Sequence, residues 1–236
     1  IKYNKMKTIL LNGCSFAECW KPSDKFISSF GCDNLINLGK AGTSFQRTCR
    51  STIEWVAQNG SPDFVLIPIT FSHRWELALN KDEDDIDGSW VPLQNSNFLS
   101  DGYNVQESSI DDVKKLCDQY YKIIPTLKTF WDKMFTDIIT LSAFLEKQKI
   151  NYLMWDMCNG FDKRHIKGYK AFEKIKFINQ NKSIINIWSF CGNRYMRDTM
   201  QDDVKNKTPE FAHHHAPEQH RHLEDYIMEH LKNIAQ

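Results

Sequence analysis

The chain has 236 residues, with 30 lysines and arginines against 30 aspartates and glutamates and a formal net charge of zero. That balance excludes the basic footprint of a general nucleic-acid binder or a membrane-surface protein, and 13% aromatic residues exclude a disordered linker. The length fits one core, so a single domain over residues 1–236 is the expectation.

In chain order, "IKYNK" precedes Met6, and residues 1–5 read as an N-terminal extension ahead of "MKTILLNGCSF". The run "KTILLN" (7–12) predicts a first buried strand. The apolar stretch Ile9 to Leu11, before "NGC", is far shorter than the roughly 7–15 residues of a signal h-region, so export by a lipoprotein route is not expected. "NLINLG" (34–39) predicts a second strand, and "SFQRTCRSTIEWVAQNG" (44–60) a helix stopped by Gly60. "DFVLIPIT" (63–70) predicts a third strand. The stretch 80–112 then breaks the pattern with an acidic, turn-rich insertion, expected as a lid or surface excursion. Its "EDDIDGSWVPLQ" has the outline of a calcium loop, but Glu83 and Gln94 stand where the first ligand and the bidentate glutamate belong, which favours a solvated acidic loop. "YKIIPTLKTFWDKMFTDIITLSAFLEKQK" (121–149) reads as helix, "INYLMWDM" (150–157) and "SIINIW" (183–188) as strands, and "APEQHRHLEDYIMEHLKNIA" (216–235) as a closing amphipathic helix. No run approaches the ~20 apolar residues of a membrane span.

This alternation predicts a doubly wound, three-layer α/β/α sandwich around a central parallel sheet. Ligands of such sheets bind beyond the carboxyl ends of the strands, where Ser15, Gly42, Thr70 and Asp156 all fall. Seven scattered cysteines without C-x-x-C spacing argue against a disulfide framework or a zinc ribbon, and for a reducing compartment.

Ser15, in the turn after the first strand, has two readings: a nucleophile with an exposed hydroxyl, or the N-cap of the next helix. "NLGKAGTSFQRT" (37–48) likewise offers either the Gly42 N–H as an oxyanion donor or a tight turn capped by Thr43 or Ser44. In "LIPITFSHRWE" (66–76), Thr70 ends a strand, and Arg74 with Glu76 reads equally as a surface pair. "FAHHHAPEQHRHLEDYI" (211–227) supplies histidines ahead of a helix, where a general base would close on Ser15.

This order of blocks resembles the SGNH (GDSL-like) hydrolases, in the branch whose first block reads G-C-S-F and which is similar to proteins of tailed phages and marine bacteria. The resemblance covers Lys7 to about Ile227. It implies the flavodoxin-like SGNH fold, Ser15 as nucleophile, and Ser15, Gly42 and Thr70 as the oxyanion hole, with Thr70 replacing the family's asparagine. The family's "H-P-x-x-x-G-H" spacing, anchored on His220, selects His214 as catalytic base. The family's aspartate is missing: Ala212 and Phe211 occupy its place, leaving Glu210 nearby and Asp156 at a distance as candidate acids. A missing third member costs about four orders of magnitude where tested, while Ser–His pairs keep a residual activity.

The cluster His213, His214, His215, His220 and His222 has rival readings as metal ligands or as capping residues, but no Asp or Cys joins it at ligand spacing. The expectation is therefore a serine esterase with a Ser15–His214 dyad or incomplete triad, needing neither metal nor cofactor. Its implied substrate is a small acyl ester or an acylated carbohydrate, with Trp75 and Trp90 available to stack on sugar rings. The alternatives are a catalytically degenerate, structural or glycan-binding component with virion or tail partners, and an acyltransferase using the same acyl-enzyme. A cytoplasmic or phage-particle location follows from the same resemblance, with no nucleic-acid or membrane partner expected.

Overall fold

Apolar runs with β-branched residues form the strands, those at the centre of the sheet buried on both faces, and polar or small residues end each of them. The structure, a computed structural model, describes residues 7–70, 74–78, 90–93, 107–123, 127–156 and 184–186, together with Arg221, Leu223, Glu224, Asp225, Ile227 and Met228. The elements in chain order are β1 (Thr8–Leu11), α1 (Ser15–Glu18), α2 (Asp24–Ser29), β2 (Asn34–Asn37), α3 (Phe45–Asn59), β3 (Phe64–Ile69), β4 (Trp75–Ala78), β5 (Trp90–Leu93), α4 (Glu107–Ile123), α5 (Leu127–Lys147), β6 (Asn151–Asp156) and β7 (Ile184–Asn186).

The central sheet runs β2-β1-β3-β6-β7, and every pairing in it is parallel. This is the doubly wound, flavodoxin-like order, and its switch point lies between β1 and β3. The period of two divides the strand residues between two cores. Leu10, Val65, Ile67, Tyr152 and Met154 pack with Phe45 and Val56 of α3 and Phe135, Ile138 and Leu141 of α5. Ile9, Leu11, Leu66, Leu153 and Trp155 pack on the opposite face with Ala17, Trp20, Phe26, Leu223 and Ile227. Helices thus cover both faces, giving an α/β/α sandwich.

Two elements differ from the sequence reading. The helix expected over 121–149 is two helices, α4 ending at Ile123 and α5 starting at Leu127, with Pro125 between them. Proline disfavours a helical conformation at the residue before it and has no N–H to continue the ladder. Within 80–112, residues 90–93 form β5, paired antiparallel with β4 in a separate two-stranded sheet, and 107–112 open α4. The acidic residues that signal a loop at Asp111 and Asp112 belong to an amphipathic helix instead.

Among the described residues, no helix is long and apolar enough to cross a membrane.

Candidate active site

β1 leads into Asn12, Gly13 and Cys14, then α1. Cys14 is the N-cap of α1 and makes no side-chain capping bond, so Ser15 is the first helical residue rather than the cap. Its side chain is buried, and among the described residues its Oγ has one hydrogen-bond contact, a long one to Cys14 Sγ at 4.0 Å. The first residues of a helix have no intrahelical acceptor for their N–H groups, and among the described residues nothing accepts the Ser15 N–H.

A buried network holds this turn. Asn12 is fully buried, and its Nδ2 lies 3.1 Å from the Thr48 carbonyl and 2.8 Å from both Ser51 Oγ and Thr52 Oγ1 on α3. Its Oδ1 accepts from the Gly13 N–H at 2.9 Å and from Arg47 Nη1 at 3.5 Å. The buried Arg47 also donates to the Leu38 carbonyl at 2.8 Å, tying the strand-to-helix turn after β2 to the one after β1.

The two turns are joined again directly. Lys40 N donates to the Gly13 carbonyl at 3.1 Å, and Ala41 N donates to Glu18 Oε2 at 2.8 Å. Gly42 sits in this turn at φ +73°, a conformation side chains resist. Ser44, not Thr43, caps α3, its hydroxyl accepting from Arg47 N at 3.2 Å. At Gly39 the backbone of α1 passes so close that a Cβ would stand 2.4 Å from Glu18 N.

Thr70 follows β3 directly and is 2% exposed. Its Oγ1 accepts from Arg74 Nη1 at 3.3 Å, and the same nitrogen lies 3.5 Å from the Thr43 carbonyl. Glu76 is buried, pairing with Arg50 Nη2 at 3.4 Å, so the surface-pair reading of Arg74 and Glu76 does not hold. Trp75, next to Arg74 in the chain, packs on Tyr120 with ring centroids 4.7 Å apart, and Tyr121 packs on Phe130 at 6.0 Å. Burial pushes the Tyr121 phenol up to about 12, with Cys117 adding to the rise and Arg74 opposing it.

The structure therefore sets Ser15, Gly42 and Thr70 beyond the carboxyl ends of β1, β2 and β3, three neighbours in the sheet. Asp156 ends β6, its backbone opposite Ile69 of β3. Glu210 and the histidines His213, His214, His215, His220 and His222 lie outside the described residues, as do Glu83 and Gln94. Among the described residues, no three side chains converge as metal ligands. Sequence reasoning missed Asn12, Glu18 and Arg47, whose partners lie up to 40 residues away. The one local signal was a polar Asn12 closing an apolar run, just ahead of Gly-Cys-Ser.

Sheet order and helical layers define a three-layer, flavodoxin-like α/β/α sandwich. The crystal structure of TesA shares it, matching 96% of this chain and 99% of that chain at a TM-score of 0.51 and 12% identity. The chain itself belongs to DUF6071, a family of unknown function whose profile matches residues 4–177. No curated protein matches it.

Proposed function

We propose that this protein is an SGNH-type serine esterase, of the G-C-S-F branch, that removes acetyl or another small acyl group from a carbohydrate. Ser15 Oγ attacks the acyl carbonyl carbon while His214 takes the hydroxyl proton, and the carbonyl π electrons move onto oxygen. The N–H groups of Ser15 and Gly42 and the Thr70 hydroxyl receive that oxyanion. As it collapses, the sugar oxygen leaves with the proton from His214, and water repeats the sequence on the acyl-enzyme to release the acid.

The observation that carries this reading is the position of Ser15: at the switch point of the sheet, beside the Gly42 turn, in a helix that Cys14 caps. A serine kept there only to cap α1 has no such task. Asp156, at the end of the strand next to β3, or Glu210 would orient His214. The reading takes residues 1–236 as one domain, with 80–112 as an insertion bordering the crevice and residues 1–5 as an extension. A cytoplasmic or phage-particle setting goes with it.

Thr70 in the asparagine position and Ala212 in place of the acid favour a second reading, a non-catalytic glycan-binding or virion component. Acetate release from acetylated xylan separates the two. The esterase reading expects release by wild type and none by Ser15→Ala. Retention of the polymer without release establishes the second reading.

A further inference from the structure

We infer that Arg74 is the positioning residue of the oxyanion hole, its Nη1 holding both Thr70 and the turn that carries Gly42. The inference rests on the Ser15 reading above. A guanidinium only donates, so at 3.3 Å Thr70 Oγ1 is an acceptor, and its single hydrogen is left for another oxygen. A hydroxyl that accepts from a cation is a stronger donor in turn, because charge-assisted bonds polarise their neighbours. The second contact, 3.5 Å to the Thr43 carbonyl, falls between Gly42 and the Ser44 cap.

The same turn is already fixed at Leu38 by Arg47, at Lys40 by the Gly13 carbonyl and at Ala41 by Glu18, and Arg74 adds a restraint at Thr43. Thr43 and Thr70 are 1% and 2% exposed, so these bonds form where water competes little. Threonine has one donor where the family's asparagine has two, and the cation beside it offsets that loss. An oxyanion hole held in place before attack acts on the transition state more than on bound substrate.

The test is steady-state hydrolysis of p-nitrophenyl acetate by wild type, Ser15→Ala, Arg74→Ala, Arg74→Lys and Thr70→Val, with far-ultraviolet circular dichroism to confirm folding. Arg74→Ala is expected to lower kcat by about 10²-fold or more with KM within about twofold, the pattern of an interaction made in the transition state. Added guanidinium ion should restore part of kcat to Arg74→Ala and none to Thr70→Val, whereas a merely structural arginine gives no such rescue. The Arg74→Ala/Thr70→Val double variant should fall little below the worse single one, because the two act as a unit.

Unchanged kcat in Arg74→Ala, or a loss confined to KM, overturns the inference. If Arg74→Ala misfolds, Arg74→Lys decides: it keeps the charge on a shorter side chain that ends short of the Nη1 position, so a kcat reduced at least about tenfold supports the inference and an unchanged kcat overturns it. Wild-type turnover abolished by Ser15→Ala establishes the esterase reading separately. An inert wild type overturns that reading and the role of Arg74 with it.

Discussion

Gly39→Ala perturbs the candidate site from beneath, without touching any residue assigned to chemistry. The added Cβ would stand 2.4 Å from Glu18 N and 2.7 Å from Ala17 C, where ordinary contact begins at 3.4 Å, so α1 must retreat by about 1 Å. That retreat strains two bonds of 2.8 Å, from Asn37 Nδ2 to the Ala17 carbonyl and from Ala41 N to Glu18 Oε2. Overpacking costs about 1–3 kcal/mol and the two bonds about 1 each, together about 3–5 kcal/mol. For a domain of this size, that is a fall in thermal midpoint of roughly 6–20 °C. Because α1 starts with Ser15, a displacement of about 1 Å should also cost about 10²-fold in kcat/KM for p-nitrophenyl acetate.

Gly60→Ala is the comparison. Gly60 lies at φ +84° with nothing within 4 Å of a Cβ, so the cost is backbone strain of about 1–3 kcal/mol, far from Ser15, and specific activity should hold. Calorimetry and ester hydrolysis on both variants check this. If Gly39→Ala keeps full specific activity, the packing of α1 on the β2–α3 turn does not position Ser15, and the reasoning fails.

Three further outcomes follow from the same structure. Burial pushes the Asp137 carboxyl up, and Lys133 at 3.2 Å only partly opposes this. Its contribution to stability is then present below 3.8 and lost as pH rises through the folded value, so Asp137→Asn should raise the thermal midpoint at neutral pH and lose that advantage in acid; a difference that does not change with pH counts against it. Glu224 accepts from Ser23 N at 2.9 Å and from Trp20 Nε1 at 3.4 Å, clasping the C-terminal helical residues to the start of α2. Glu224→Ala should cost about 1–3 kcal/mol in urea denaturation and Glu224→Gln distinctly less, and equal losses would contradict that. Iodoacetamide should modify the exposed Cys19 before the buried Cys14 and Cys117 and before Cys49, whose thiol burial pushes well above its usual range, as peptide mass spectrometry would read.

The five strands of the central sheet were legible because strands covered on both faces are nearly unbroken apolar runs. The ends of α3 were legible for a different reason: Ser44 and Gly60 act locally, within one turn. α4 was hidden because its first turns carry Glu107, Asp111 and Asp112, which read as loop until the aromatic face at Tyr120 and Tyr121 is seen packing. The site divides in the same way. Ser15, Gly42 and Thr70 follow strand ends and can be found by position, whereas Asn12, Arg47 and Arg74 acquire their roles from partners that only the fold brings near. Ser15 itself was ambiguous because a cap and a nucleophile use the same residue type at adjacent positions, and the backbone of Cys14 separates them.

Covalent labelling by a fluorophosphonate tests the central claim most directly, because it requires a serine activated by a base within hydrogen-bond reach. Intact-mass and peptide analysis should find one phosphonyl group on Ser15, formed slowly relative to a complete triad, absent in His214→Ala and retained in His222→Ala. Wild-type protein that stays unlabelled, or that carries the group on another serine, would contradict the assignment of Ser15 as nucleophile.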